Sequence, residues 1–217
     1  MHASAKNVLL ASFWIFAIAY VATMHLAPYP AHWLVKAMPA LSLALLVKQR
    51  LEGKQSVLLA AALTLSAGGD IALSVRADGA QTYFVAGLGL FLAAHLCYVV
   101  AFALHRRYQP ARLPVMMAFV VLAGAMVVLL WPHLGAMRLP VLLYIAAIMS
   151  MGLAATLNTQ GGTLLMVGAA LFFVSDATIA VNMFLLPEPH PAASYLIMPT
   201  YYAAQYAIAW AFLKKVA

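Results

Sequence analysis

The sequence has little charge and almost no cysteine. Of its 217 residues only 8% are charged, with five acidic side chains against twelve lysines and arginines, and Cys97 is the single cysteine. One cysteine excludes an internal disulfide framework and a zinc site built on several thiolates. Soluble domains are about 25% charged. The low charge therefore excludes an ordinary soluble enzyme and a disordered tail.

Apolar side chains take the place of charge. They make up 66% of the residues, the mean hydropathy is +0.97, and a soluble fold of this size has too little interior to bury them. A transmembrane helix needs about 20 mostly apolar residues. Eight stretches qualify, roughly 7–25, 33–48, 56–75, 83–104, 113–131, 139–157, 162–186 and 194–213. We expect an all-α integral membrane protein in which residues 1–217 form a single bundle of eight transmembrane helices.

The first stretch could be mistaken for a signal peptide. Its apolar core runs from Val8 to Met24, which exceeds the usual length of about 7–15 residues, and no convincing A-x-A cleavage site follows. We expect it to be a true membrane span.

Basic residues near the ends of the stretches predict the orientation. On the side of the N-terminus lie nine: Lys6, Lys48, Arg50, Lys54, Arg106, Arg107, Arg112, Lys214 and Lys215. The opposite side has three: Lys36, Arg76 and Arg138. Both termini are therefore expected in the cytoplasm, with the chain in a cell membrane such as a bacterial inner membrane. Charges scattered over separate loops do not form the continuous basic stripe that nucleic acid binding needs.

Four ionisable side chains fall inside the predicted spans: Lys36, Asp70, His95 and Asp176. Such groups are costly in a bilayer, usually face the bundle interior, and are candidates for function. Counting about 1.5 Å per residue, Asp70 lies roughly 9 Å below the outer surface. Further polar groups fall in the same half of the bilayer or near its middle: Tyr98, Tyr144, Tyr201, Tyr202 and Gln205. We expect a buried polar pocket that opens toward the outer leaflet.

Simpler interpretations of these residues remain open. Tyrosine and glutamine in a span can bond to each other, and His95 can be a satisfied core residue. Lys36 can extend its ammonium group to the membrane surface, or form a structural pair with the aspartates. Trp33 and Trp131 fit interface anchors.

Five of the predicted spans each carry a short motif. In chain order they are Lys36 with Pro39; G-D-x-x-L (Gly69, Asp70, Leu73); F-x-x-G-x-x-x-F-x-x-x-H-x-x-Y (Phe84, Gly87, Phe91, His95, Tyr98); G-x-x-L-F-x-x-S-D (Gly168, Leu171, Phe172, Ser175, Asp176); and Y-x-x-A-Q (Tyr201, Ala204, Gln205). This ordered set resembles the YhhN family of membrane lysoplasmalogenases over nearly the whole chain. One departure is that Ala37 follows Lys36, where the family tends to have proline.

The resemblance implies hydrolysis of the vinyl-ether bond of lysoplasmalogens, which releases a fatty aldehyde and a glycerophospho-alcohol such as glycerophosphoethanolamine or glycerophosphocholine. Protonation of a vinyl ether needs a carboxylic acid, and a second, ionised carboxylate can stabilise the cation and orient water. Asp70 and Asp176 are the candidates for these roles, with His95 beside them. The candidate substrate-binding residues are Lys36, Tyr98, Tyr144, Ser175, Asn182, Tyr201, Tyr202 and Gln205. We expect a lysophospholipid substrate from the bilayer and no cofactor or metal.

Two other functions fit the same residues. Asp70, Asp176 and His95 could be the ligands of a metal-dependent lipid hydrolase. Alternatively, the two aspartates could relay protons in a transporter of a small amphiphile. Their separation of 106 residues is about half the chain, which hints at a four-plus-four duplication. No phosphate-binding loop, G-x-S-x-G or H-E-x-x-H motif is present.

Overall fold

The computed structural model describes residues 2–75 and 80–214. Arg76 and Lys215, which entered the orientation count, lie outside the described residues. Within these ranges are eight α-helices: α1 His2–Thr23, α2 His32–Arg50, α3 Gly53–Ser74, α4 Ala80–Ala103, α5 Leu113–Leu130, α6 Arg138–Leu157, α7 Gly162–Phe184 and α8 Ser194–Leu213. The same ranges contain no β-strand beyond one isolated bridge between Arg106 and Asn158. The all-helical prediction is confirmed.

Six of these helices, α1 and α3 to α7, are long and apolar enough to cross a membrane. The other two, α2 and α8, carry some of the polar candidate residues. Lys36 lies in the second turn of α2, and Tyr201, Tyr202 and Gln205 lie in α8. Lys36 lowers the hydropathy of α2 together with Lys48, Gln49 and Arg50 at the end of that helix, and the tyrosines and Gln205 lower that of α8. Neither helix is interrupted.

Large apolar side chains cover the outside of the helices. Val128 is 73% exposed and Leu139 is 67% exposed, and on α1 the side chains of Val8, Ile15 and Ile18 are also open. In water this surface would be unstable, whereas lipid tails are as apolar as leucine. The distribution is that of a multi-pass membrane protein.

The chain divides into two compact units. The first comprises Met1–Ala101 with Leu213–Ala217 and holds α1, α2, α3 and most of α4. Only Leu51 and Glu52 connect α2 to α3, so the two helices run antiparallel as neighbours. Gly53 begins α3 with φ +68°, a left-handed conformation that glycine adopts without steric cost.

Small residues bring α2 and α3 together. Ala37 and Ala40 of α2 are buried against Ala67 of α3, and Leu41 and Ile71 pack around them. Ser12 of α1 shares a hydrogen bond of 2.9 Å with Ser42 of α2, which ties the first helix to the same pair.

The second unit comprises Phe102–Phe212 and holds α5, α6, α7 and nearly all of α8. Its core includes Leu130, Leu134 and Val141, where α5 turns into α6. At the other end of these helices the Asn158 side chain donates to the Phe102 carbonyl at 2.8 Å. Arg112 donates to the carbonyls of Thr156 and Asn158, each at 2.8 Å, and so satisfies backbone groups that the end of α6 leaves open.

Contacts between α7 and α8 follow an antiparallel register. Ser175 meets the Ile197 carbonyl, and the Phe172 ring meets the Tyr201 ring. One turn further along, Gly168 lies against the backbone of Ala204 and Ile208. Because residue numbers fall on α7 as they rise on α8, the two helices pack side by side over several turns.

Candidate active site

Two glycines set the position of Asp70 by letting α3 and α4 approach closely. A Cβ atom on Gly69 would lie 2.6 Å from the Phe91 ring, and one on Gly87 would lie 2.7 Å from Leu73. Small residues at such contacts allow helix backbones to pack tightly in a membrane. Gly69, the neighbour of Asp70, is therefore held against α4.

Asp70 is an ion-paired residue of the first unit. The carboxyl group is almost completely buried, with 2% of the residue exposed. The Lys36 Nζ lies 3.6 Å from Asp70 Oδ1, and 12% of the lysine side chain is exposed. The structure thus joins two of the predicted site residues, and Lys36 reaches an inner partner instead of extending only to the membrane surface.

Tyr20 is a residue of this cluster that the sequence analysis missed. It lies on α1, is buried, and interacts electrostatically with Asp70. The signal for it was a phenol in the last turns of an otherwise apolar stretch. That signal is weak, because tyrosine is common near the ends of membrane helices.

His95 and Tyr98 are both fully buried on α4. His95 Nδ1 donates a hydrogen bond to the Phe91 carbonyl at 2.7 Å, since a carbonyl oxygen only accepts. In the neutral ring this bond fixes the tautomer and makes Nε2 the acceptor. Since Gly69 contacts Phe91, His95 lies about one turn beyond that contact toward the C-terminal end of α4.

Asp176 lies in the second unit and has a different kind of partner. The Tyr144 hydroxyl of α6 donates to Asp176 Oδ2 of α7 at 2.7 Å. Both residues are partly buried. Two more of the predicted site residues, Tyr144 and Asp176, are therefore in direct contact.

The remaining predicted residues of the second unit gather where α7 packs on α8. Tyr201, Tyr202 and Gln205 are buried there. The Tyr201 ring contacts the Phe172 ring edge to face with centroids 5.5 Å apart, and it lies 5.4 Å from the Tyr202 ring. Ser175 is buried and its hydroxyl donates to the Ile197 carbonyl at 3.2 Å.

Asn182 occupies the end of α7 that precedes the loop at 185–190. Its Oδ1 accepts a hydrogen bond from the backbone N–H of His190 at 2.7 Å. The observed contact holds the loop, and the predicted contact of Asn182 with substrate stays a prediction.

Each unit therefore presents a carboxyl group with an identified side-chain partner, Lys36 for Asp70 and Tyr144 for Asp176. A carboxyl group next to an ammonium group, or next to a phenol, can exchange a proton and hold water. Among the described residues, no three His, Cys, Asp or Glu side chains form a group suited to a metal ion.

The chain is similar to one protein family and to several named proteins. The model of the YhhN family matches residues 31–212. Lysoplasmalogenase TMEM86A of Bos taurus is 38% identical over 160 residues, which cover 68% of this chain and 61% of that protein. Lysoplasmalogenase of Mycobacterium tuberculosis (strain CDC 1551 / Oshkosh) is 36% identical over 156 residues, covering 70% and 59%.

A longer match is lysoplasmalogenase TMEM86B of Homo sapiens, 38% identical over 187 residues that cover 84% of this chain and 75% of that protein. The chain spans about three fifths of the length of the bovine and mycobacterial relatives. No solved structure matches the chain.

Proposed function

Because this chain belongs to the YhhN family, we propose that it is a membrane hydrolase that cleaves the vinyl-ether bond of lysoplasmalogens. The products would be a fatty aldehyde and a glycerophospho-alcohol, glycerophosphoethanolamine or glycerophosphocholine. The observation that carries the proposal is the similarity to three proteins named lysoplasmalogenase, each over two thirds or more of this chain.

The proposed reaction is acid catalysis. A carboxylic acid delivers a proton to the vinyl carbon farther from oxygen, which leaves an oxocarbenium ion. Water adds to this ion to form a hemiacetal, which then separates into the aldehyde and the alcohol. Asp70 and Asp176 are the proposed pair, one as the acid and the other as the carboxylate that stabilises the cation, a division of roles known from glycosidases. The support is that each is held by a specific partner, Lys36 or Tyr144.

The proposed substrate contacts come from the other buried polar groups. His95, Tyr98, Tyr201, Tyr202 and Gln205 are buried and would orient the ether and the water. An ammonium group has three N–H donors, so Lys36 could contact Asp70 and also a phosphate oxygen of the headgroup. In a lysolipid the vinyl ether lies only a few ångströms below that headgroup, which suits a site in the outer half of the bilayer.

We also propose that all eight helices cross the membrane as one domain, with both termini in the cytoplasm. At about 1.5 Å per residue, the 19 residues of α2 and the 20 residues of α8 are each about 30 Å long, the thickness of the hydrocarbon core. Each packs antiparallel along a helix that is apolar enough to span, α3 or α7. An even number of spans agrees with nine basic residues on the terminal side against three on the other.

The test is the purified chain in detergent, incubated with lysoplasmenylcholine, with the saturated ether analogue and with the ester lysolipid. We expect aldehyde from the vinyl ether and no reaction of the other two. Release of fatty acid from the ester, or no aldehyde from the vinyl ether, would contradict the proposal. Loss of activity with a chelator and its return with zinc would favour a metal-dependent hydrolase instead.

A further inference from the structure

Two serines of α3 flank Asp70, each one helical turn away. The Ser74 hydroxyl donates to the Asp70 backbone carbonyl at 2.7 Å. This is the usual arrangement for serine and threonine within a helix, and Thr64 makes the same bond to Ala60 at 2.9 Å. Ser66 differs. It is 0% exposed, and its hydroxyl has no hydrogen-bond partner in the part of the chain that the structure describes.

A buried hydroxyl without a partner is costly. The loss is about 1–3 kcal/mol, and native proteins usually satisfy such groups with protein atoms or with ordered water. Ser66 could bond to the carbonyl one turn back, as Ser74 and Thr64 do, yet it does not. Its orientation therefore indicates a partner other than its own helix.

The face of α3 that carries Ser66 points into the protein. Ala67 packs on α2, and Gly69 packs on α4. On a helix, Ser66 and Asp70 lie on the arc between these two contacts. Side chains four residues apart have Cβ atoms about 5–6 Å apart, a gap that one water molecule fills when it makes hydrogen bonds of about 2.8 Å to both.

We propose that the Ser66 hydroxyl and the Asp70 carboxylate hold a water molecule between them, and that this water attacks the oxocarbenium ion. The inference rests on the proposed function and makes Ser66 a positioning residue. Ser66 donates to the water oxygen, and the water donates to Asp70, whose charge is compensated by Lys36. A lone pair of the water is left to form the new C–O bond.

The protons balance over the cycle. Asp176 gives a proton to the vinyl carbon, and Asp70 takes a proton from the attacking water as the hemiacetal forms. When the hemiacetal separates, its hydroxyl proton returns to Asp176, and Asp70 protonates the departing glycerol oxygen. Both carboxyl groups regain their starting states.

Competition between water and methanol tests the assignment. Methanol captures the same oxocarbenium ion and gives a mixed acetal, which mass spectrometry separates from the aldehyde. In Ser66→Ala we expect the ratio of acetal to aldehyde to rise about fivefold, the factor that one hydrogen bond is worth. Ser74→Ala is the matched control and should leave the ratio unchanged. An unchanged ratio in Ser66→Ala, or an equal rise in Ser74→Ala, would overturn the inference.

A second measurement does not depend on activity. A structure of the wild-type protein at a resolution that shows ordered water should have density within hydrogen-bond distance of Ser66 Oγ and of an Asp70 carboxylate oxygen, and Ser66→Ala should lack it. Missing density in the wild type would reject the water site. If the water is seen but no vinyl ether is cleaved, the proposed function fails and the site stands as a structural water. If cleavage occurs and the water is missing, only this inference fails.

Discussion

The two units of the molecule each carry a buried or partly buried aspartate, but they stabilise it in different ways. In the first unit a cation, Lys36, lies 3.6 Å from Asp70. In the second unit a neutral phenol, Tyr144, donates to Asp176 at 2.7 Å. Asp70 is also the more deeply buried of the two. The two sites are therefore not interchangeable, although their spacing along the chain hints at a repeated half.

The two carboxyl groups are therefore stabilised by different interactions, Asp70 by an opposite charge and Asp176 by a hydrogen bond. A buried charge is costly unless an opposite charge compensates it, and removing one member of a buried pair leaves the other uncompensated. A phenol supplies a hydrogen bond of smaller net value. This contrast predicts unequal losses of stability when Lys36 and Tyr144 are removed. The two-carboxylate mechanism predicts similar losses of activity when either aspartate is changed.

The largest effect is expected from the aspartates. Asp70→Asn and Asp176→Asn should each lower aldehyde release from lysoplasmenylcholine at least about 100-fold, because a positioned acid or base contributes about 10²–10⁴-fold. Asp176→Asn, a near-isosteric change, should leave the fold and its stability nearly intact. Asp70→Asn should keep the fold but lower the stability, because Lys36 loses its counter-charge; size-exclusion profiles in detergent check the fold of both. Full activity in either variant would break the two-carboxylate mechanism.

Removing the partner of each aspartate should lower the unfolding free energy by different amounts in the two units. Lys36→Met leaves the Asp70 carboxylate buried without this cation and is expected to cost about 3–5 kcal/mol of unfolding free energy. Tyr144→Phe removes one hydrogen bond to Asp176 and should cost about 1 kcal/mol. Unfolding of the purified variants in detergent measures both values.

Two controls sharpen this comparison. Lys48→Met changes an exposed lysine of the same helix, and Tyr195→Phe changes an exposed tyrosine of α8, so neither should alter stability measurably. The double variant Lys36→Met with Asp70→Asn should recover much of the stability lost in Lys36→Met. Equal losses in Lys36→Met and Tyr144→Phe would show that the ion pair has no special weight.

A smaller difference in stability is expected between variants of two glycines at close helix contacts, Gly168 of α7 against α8 and Gly87 of α4 against α3. A Cβ on Gly168 would meet the Ile208 backbone nitrogen at 3.0 Å and the Ala204 carbonyl at 3.2 Å, so Gly168→Ala should cost about 1–3 kcal/mol. A Cβ on Gly87 would meet Cγ and Cδ2 of Leu73 at 2.7 Å and the Gly69 carbonyl oxygen only at 3.4 Å. Gly87→Ala should cost less, since the close neighbour is a side chain and not backbone. Gly89→Ala, with no atom within 4 Å, is the control.

Much of the fold follows from the sequence because long apolar stretches between polar breaks indicate where membrane helices form. The eight predicted stretches agree with the eight described helices to within a few residues at most ends. The hydropathy of α2 and α8 is less decisive, because α2 carries Lys36 and a polar end from Lys48 to Arg50, and α8 carries buried tyrosines and Gln205. For those two helices the crossing stays a proposal, supported by their packing partners.

The site was only partly predictable. The sequence predicted that Asp70 and Asp176 lie within apolar helices, and the structure has both there. It did not predict the close contact of α3 with α4 at Gly69 and Gly87. The choice of partners depends on the rotation of each helix and on side-chain rotamers, which no linear pattern records. That is why the sequence left Lys36 open among a substrate contact, the membrane surface and a pair with an aspartate, and why Tyr20 was missed.

The tight contact at Gly168 restricts the routes open to a fatty chain. Backbone atoms of α8 lie so near α7 at this level that even one methyl group is crowded, and an alkyl tail is several ångströms wide. If the proposed lysolipid binds near Tyr201 or Gln205, its tail therefore does not enter between α7 and α8 at the level of Gly168.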